Sequence, residues 1–373
     1  MSIPYLITFT PAGRFYFGTS QSLGDGFYAA SSMFPSQTTI LGTIRATILE
    51  QKNLLDLNKR IPLVGKEREV NALTGTSKMI GIDDTDDNLG TILKLSPVFI
   101  VKQKESSDCP DDFLFPVPAD VFRIEGLKVI EFPPEKNTKI FSRGTEHDLS
   151  FHFDRRIKDP QADYLGGIQF WQDYRDKTEL TFYKHYLNEN IFIPVSQPGI
   201  ARAERQTREE YYYSKKDFRL AKEYSFGVIA HFSEENVLED GEVFMGGERS
   251  LFKMRLIKLP LSPSYVYSEH PVIKRFLNEK DYYGDFDGSK KVSFNKEKLV
   301  LFSPFVGDGL LEDLEFALIN ELYAPRSLNS RKSKSDSFRT IPAGSILFPD
   351  KELKKITCFP VSSKIGYNFA IKF

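Results

Sequence analysis

Three stretches of the chain hold residues whose types and spacing suit a binding chemistry. Arg202, Arg205 and Arg208 recur every three residues, with Tyr211, Tyr212 and Tyr213 just behind them. Guanidinium groups neutralise phosphates, and tyrosine rings stack on unpaired bases. The same residues also fit a charged surface helix or hairpin whose arginines pair with Glu204, Glu209 and Glu210. Composition does not choose between the two. Gly246-Gly247-Glu248-Arg249 sets small residues beside a cation, where a sugar-phosphate backbone can approach main-chain N–H groups closely. A plain β-turn is the simpler reading. Ser36-Gln37-Thr38 opens a helix, where free N–H groups and the helix dipole favour an anion. Capping alone is the simpler reading there.

Signals of catalysis are weaker. GDGFYA (24–29) matches a loose dinucleotide pattern, yet no buried strand runs into it, no helix opens on it, and position 45 holds Arg45 where an acid belongs. There is no phosphate-loop motif and no nucleophile elbow. The run Asp83–Asp87 resembles half a calcium loop, but Leu89 and Leu95 stand where the glycine and the bidentate glutamate belong, so it reads as a solvated acidic loop. The histidines (147, 152, 185, 231 and 270) have no zinc-site spacing. His147 and His152 are the best candidates for a general base, and surface histidines are the simpler reading. No nucleophile and orienting acid accompany them. The sequence therefore argues mildly against an enzyme, a cofactor or a metal site.

These residues need elements to position them. YLITFT (5–10) and RFYF (14–17) read as strands around a Pro11-Ala12-Gly13 turn. Ser36 caps a helix in which Ile40, Leu41, Ile44, Ile48 and Leu49 fall at helical spacing. Residues 65–95 read as an exposed insertion. LSPVFIVKQ (95–103) and FLFPVPADVFRI (113–124) look like strands, the second demoted to an edge by Pro116 and Pro118. Residues 132–160 look loop-like, and 161–187 suggest one helix. YSFGVIAHF (224–232) reads as a buried strand, and 243–259 as two strand halves around Gly246-Gly247. LLEDLEFALINELY (310–323) has the pattern of an amphipathic helix, and IPAGSILFP and KIGYNFAIKF close the chain as strands. Each half is thus an α+β unit.

Composition sets the outer limits. A length of 373 residues suggests about two domains at roughly 150 residues each. Thirty-two Phe and 17 Tyr beside one Trp lean toward strands. Fifty basic against 51 acidic residues exclude nucleic-acid binding by bulk charge, but not a local basic groove. Residues 199–222 carry seven basic residues against four acidic, and 324–340 carry five against one. Two cysteines, no apolar run of membrane-spanning length and no secretory leader pattern lead us to expect a soluble, cytoplasmic protein without membrane partners.

The same stretches, in the same order, carry a family resemblance. MFPSQTTILGTIRATIL (33–49) resembles the first-helix signature of the RAMP superfamily of CRISPR systems, and most nearly that of the type III-B (Cmr) subunit that caps the 5′ end of the guide RNA. LFPVPADV (114–121), PGIARAERQTREEYYY (198–213), FMGGERSLFKM (244–254), IPAGSILF (341–348) and IGYN (365–368) are similar to later segments of that subunit. The set spans nearly the whole chain, and its order makes it specific.

The resemblance implies an α+β fold of two ferredoxin-like (RRM-like) RAMP domains packed together with long loop insertions, divided here as 1–205 and 206–373. It implies a non-catalytic, crRNA-binding role in antiviral defence. Its partners would be the crRNA 5′ handle, the large polymerase/cyclase-type subunit and neighbouring RAMP backbone subunits. Residues carried over as RNA-binding are Ser36, Gln37, Thr38, Arg45, Arg202, Arg205, Arg208, Gly246, Gly247 and Arg249, with Gly366 and Asn368 as weaker members. An endonuclease that processes precursor crRNA, or the equivalent subunit of a sister type III module, is the alternative. No histidine stands in a matching motif position, which favours binding.

Overall fold

The run YSFGVIAHF forms the strand Tyr224–Phe232, and all nine of its residues are buried. The protein is described by a computed structural model covering residues 2–18, 28–59, 61–77, 86–103, 109–123, 127–129, 135–142, 145–150, 158–160, 164–176, 180, 183, 186–203, 206–246, 248–259, 269–277, 298–308, 314–318, 340–349, 357–358 and 360–373. The central strand is antiparallel to the opening strand Ile3–Pro11, in a register from Ile3↔Phe232 to Phe9↔Phe226. On its other edge it pairs with Phe99–Lys102 and, farther along, with Ile92–Leu95. The sheet continues through Asp112–Pro116 to Leu165–Gly166 on one side. On the other it continues through Ser250–Lys258 to Gly241–Met245. Every pairing in this sheet is antiparallel.

Three helices pack near it: α1 (Gln37–Gln51), α2 (Glu67–Thr74) and α3 (Ile168–Asp176). Successive side chains of a strand point to opposite faces. Phe226, Val228, Ala230 and Phe232 therefore share one core with Ile7, Phe9 and the α1 residues Ile40, Leu41, Ile44 and Ile48. Ile229 faces a second core with Leu6, Phe99, Val101 and Trp171 of α3. That second core also takes Val300, Ile346 and Ile371 from a smaller antiparallel sheet ordered Leu314–Leu318, Ile346–Pro349, Leu299–Leu301, Ala370–Lys372. The protein is thus a mixed α/β fold around a large antiparallel sheet.

Two sequence segments singled out above meet at the seam between the sheets. The Ala119 N–H donates to the Gly344 carbonyl at 2.8 Å, joining P-V-P-A-D to P-A-G-S. Asp120, buried, accepts from the Tyr174 hydroxyl at 3.0 Å and from Lys298. Burial raises the Asp120 pKa, and the Lys298 ammonium restrains the rise.

A long two-stranded ribbon, Phe192–Ala203 with Gln206–Leu220, leaves the body. Its root pairs in parallel with Tyr28–Ala30 at Ser214–Lys216, and Phe15 bridges Phe218. The central strand, from the second half of the chain, lies hydrogen-bonded between strands from the first half.

Several expectations hold, and others are corrected. The capped helix, the buried central strand and the glycine hairpin are present. RFYF does not fold back on the opening strand; Phe15 bridges the ribbon instead. Residues 65–95 include α2 and the strand Ile92–Leu95. Segment 132–160 is not a loop throughout, because Glu135–Ser142 and Thr145–Ser150 form a hairpin and Lys158–Pro160 pairs with Val121–Arg123. Of the helix expected over 161–187, the described residues hold α3, Ile168–Asp176. Within 310–323, Leu314–Leu318 is a strand, recruited by Ile346–Pro349.

His270, buried against Phe113 and Phe115, is locked neutral. Its Nε2–H meets the Phe113 carbonyl at 3.1 Å, while Nδ1 accepts from the Val272 N–H at 3.2 Å. Burial lowers its pKa from 6.5 to about 3. The unfolded chain binds that proton first, so the stabilisation is complete above pH 6.5 and is lost as pH falls toward about 3. Urea unfolding at a series of pH values should show stability falling across this window by roughly 1.4 kcal/mol per pH unit from this group. His270→Gln, which keeps a donor for Phe113, should flatten that slope.

Candidate nucleic-acid interface

The alternation Phe15-Tyr16-Phe17 buries the two phenylalanines in the main core and leaves Tyr16 on the opposite side. Its main chain is held by the glycine hairpin. The Tyr16 N–H donates to Ser250 Oγ at 3.3 Å. Its carbonyl lies where a Cβ on Gly246 would come within 2.7 Å, and Gly246 has φ +81°, so only glycine fits. The turn closes with the Arg249 N–H on the Gly246 carbonyl at 3.1 Å, and Arg249 itself has φ 55° and is exposed. Gly247 lies outside the described residues.

The root of the ribbon completes this corner. Lys215 Nζ sits 4.3 Å from the centroid of the Tyr16 ring, a cation–π contact. It pairs with Asp217 at 3.0 Å and with Glu248 of the glycine turn. Arg14 Nε approaches the same Asp217 at 3.6 Å. Three backbone segments therefore bring Arg14, Tyr16, Lys215, Glu248 and Arg249 to one place.

Arg202 and Arg208 stand farther out on the ribbon, on opposite strands, with Arg202 in register with Thr207. Arg208 is seven residues from Lys215 along the strand, about 23 Å at 3.3 Å per residue. The basic stretch is thus a hairpin, and its arginines are not in one pocket with the glycine turn. Arg205 lies outside the described residues.

The remaining motif residues gather at the start of α1. Ser36 Oγ accepts from the Thr39 N–H at 3.2 Å and meets the Thr38 hydroxyl at 2.9 Å. Gln37 is buried, and in the orientation its neighbours require, its amide donates to the Ile365 carbonyl at 3.0 Å and accepts from the Val98 N–H at 2.8 Å. Burial raises the Tyr367 pKa, opposed by hydrogen bonds from the Thr38 hydroxyl and from the N–H groups of Thr38 and Gln37. The free N–H groups of this helix end are therefore met from inside the protein. Gly366 has φ +93°, and a Cβ there would lie 2.3 Å from the Ser96 carbonyl. The Asn368 amide, buried, both donates to and accepts from the Val306 backbone, at 2.8 and 2.6 Å.

Arg45, two turns into α1, reaches the Ser77 segment that follows α2. Its Nη1 donates to the Ser77 carbonyl at 2.9 Å, while among the described residues buried Nε and Nη2 have no hydrogen-bond partner. Burial lowers its pKa, and Asp86 opposes the shift. Sequence reasoning missed Arg14, Tyr16 and Lys215. The F-Y-F alternation was the available signal for Tyr16.

His231 and His270 are both buried, with Nε2 on the carbonyls of Phe276 and Phe113. His147 lies in the strand Thr145–Ser150, opposite Ile140, and His152 lies outside the described residues. Among the described residues, no three His, Cys, Asp or Glu side chains gather to hold a metal, and no helix is long and apolar enough to cross a membrane.

A family model described as CRISPR-associated protein (Cas_Cmr3) matches residues 7–283. No curated protein matches the chain. Among solved structures, a chain of the type III-B Cmr-beta cryo-EM structure bound to cognate target RNA and AMPPnP is 14% identical. The likeness covers 98% of this chain and 95% of that one, at a TM-score of 0.50. A chain of Cmr-beta bound to cognate target RNA is also 14% identical, with coverage of 98% and 96% and a TM-score of 0.49. A chain of a Csm3-Csm4 subcomplex from a type III-A interference complex is 11% identical, with coverage of 99% and 99% and a TM-score of 0.40.

Tyr367→Phe removes the hydroxyl at the start of α1 and leaves the Gln37 and Thr38 N–H groups short of a partner. We expect a loss of about 1–3 kcal/mol of stability, read from the urea midpoint at unchanged m-value.

Proposed function

The chain belongs to the Cas_Cmr3 family of CRISPR-associated proteins, and from that premise we propose that it is a non-catalytic, crRNA-binding subunit of a type III-B (Cmr) RNA-targeting effector complex. In this reading it holds the repeat-derived 5′ handle of the crRNA in the cytoplasm. It docks against the large polymerase/cyclase-type subunit and the neighbouring RAMP backbone subunits. The two antiparallel sheets are the cores of its two ferredoxin-like units.

One observation carries the RNA-binding reading. The ribbon root, the glycine turn and the Arg14–Phe17 segment converge, and they present cations and an aromatic ring beside a glycine-lined turn. A splayed single strand is gripped by backbone contacts and base stacking. The outer ribbon adds a second surface. Among the described residues its distal half pairs only with itself, and a lone two-stranded hairpin is marginally stable in water. Lying along RNA or a neighbouring subunit would stabilise it.

Within the motif set the roles divide. Arg202, Arg205, Arg208, Gly246, Gly247 and Arg249 are the direct contacts. Gln37 ties the end of α1 to the Ile365 and Val98 segments, Gly366 packs on Ser96 and Asn368 holds Val306, while Ser36 and Thr38 stand at the helix's partly exposed rim. Arg45 braces the loop above the helix.

Tagged in its native host and purified at mild salt, the chain should bring down short RNAs that share one repeat-derived 5′ end, together with a large polymerase-like subunit. Combining Arg202→Ala with Arg208→Ala should cut handle recovery about tenfold and make binding less salt-dependent, by about one unit of log–log slope per arginine. Unchanged recovery would remove those arginines from the contact. Recovery of the chain alone, or with cleaved repeat fragments only, would overturn the capping role and favour a processing enzyme.

A further inference from the structure

We propose that Tyr16 and Lys215 form a nucleotide platform beside the glycine turn, where an unpaired base stacks on the Tyr16 ring and a phosphate displaces Glu248 from Lys215. The inference rests on the RNA-binding reading and adds two contacts and a resident competitor to it.

The first argument is placement. Tyr16 lies between two buried phenylalanines and is itself only part-buried, so its ring sits on a rigid base. The Ser250 hydroxyl on its N–H and the close approach of Gly246 to its carbonyl fix the backbone that carries it. Gly18, two residues on, has no side chain, and a Cβ there would sit 3.7 Å from the Tyr16 ring.

The second argument is charge. Arg14 and Lys215 face Asp217 and Glu248, two cations against two anions, and Arg249 stands exposed beside them on the turn. The two anions are not equivalent. Asp217 has a side chain only 2% exposed and meets both cations from beneath. The Glu248 side chain is 52% exposed, rides on the glycine turn and touches Lys215 from outside. Of the two carboxylates, only that of Glu248 is open to water, so it is the one whose hold on Lys215 water and salt weaken. A phosphodiester carries one negative charge, as the Glu248 carboxylate does, so the exchange leaves the charge of the corner unchanged. Lys215, with a side chain only 13% exposed, stays anchored by Asp217 and the Tyr16 ring during the exchange. Glu248 therefore acts as an internal phosphate mimic that any RNA must outcompete.

Fluorescence anisotropy of the full chain with a labelled single-stranded RNA of about ten nucleotides tests this directly. Glu248→Gln should bind about fivefold tighter at low salt, since a competing charge is lost. Tyr16→Leu should bind about tenfold more weakly, and Tyr16→Phe, which keeps the ring, should restore affinity to within about twofold. The leucine and phenylalanine variants together separate loss of the ring from any disturbance of the strand. Wild-type binding with Glu248→Gln unchanged or weaker would overturn the competitor role. Wild-type binding with Tyr16→Leu unchanged would overturn the stacking role. No binding by the wild-type chain would overturn the RNA-binding reading itself, a result distinct from the other two.

Discussion

A strand buried on both faces leaves no tolerance in register, and Tyr224–Phe232 is such a strand. Sliding it by one residue would send Phe226 and Val228 to the wrong core. Its small and polar members fix the alignment as firmly as its large ones. Gly227 is there because a Cβ would fall 2.4 Å from Val101 and 2.7 Å from Phe99. The Ser225 hydroxyl meets Thr10 at 2.6 Å, and His231 Nε2 meets the Phe276 carbonyl at 2.8 Å. The surface features inherit this precision. The Ser250–Lys258 strand pairs with the opening strand, which pairs with the central one, so the glycine turn stands two strands from the most constrained element. The ribbon root is tied in through Phe15, whose ring packs on Phe226 and Phe252.

The parts of the fold that sequence disclosed are those with a single period. Ile40, Leu41, Ile44 and Ile48 repeat only as a helix does, and a Ser36 cap confirms where the helix begins. The central strand is apolar enough to admit no surface reading. LLEDLEFALINELY is different, because its leucines satisfy two periods at once. Leu311, Leu314, Leu318 and Leu322 fit a helix, whereas Leu314, Phe316 and Leu318 fit a strand. The free edge of Ile346–Pro349 decides the matter, and no local pattern encodes that edge. The hairpin over 135–150 is illegible for the opposite reason. It opposes Lys139 to Asp148 and Phe141 to Glu146, so its strands carry no apolar alternation to read.

Site residues divide in a similar way. Glycines and arginines announce themselves by type, and the spacing of Arg202, Arg205 and Arg208 invites a helical interpretation that the ribbon rules out. In the hairpin, Arg202 and Arg208 stand on facing strands, one position out of register, and far from the glycine turn at the ribbon root. Several of the motif residues lie near the start of α1, yet much of their hydrogen-bonding capacity is turned inward. Gln37 reaches two backbone segments, and Asn368 saturates both sides of Val306. A motif in this family can therefore mark the framework of a surface as well as the surface itself. Tyr16 shows the converse. It belongs to none of the quoted motifs, and its proposed role comes into view only where the glycine turn and the ribbon root meet it.

Near-neutral net charge has a mechanistic consequence here. Lys215 is paired with Asp217 and Glu248, Lys298 with Asp120, Lys258 with Glu235, and Lys364 with Asp87. Cations held in such pairs contribute little field at a distance, so long-range attraction of a polyanion is weak. Under the proposed RNA-binding role, binding would depend on exchange at defined positions, where a phosphate arrives at the place a carboxylate leaves. Exchange of this kind favours a ligand of correct shape over one of merely sufficient charge, because a strand that misses the position gains no cation and displaces no anion. For a chain whose proposed task is to hold one end of one RNA among many, discrimination against unrelated polyanions is worth more than strong attraction to all of them.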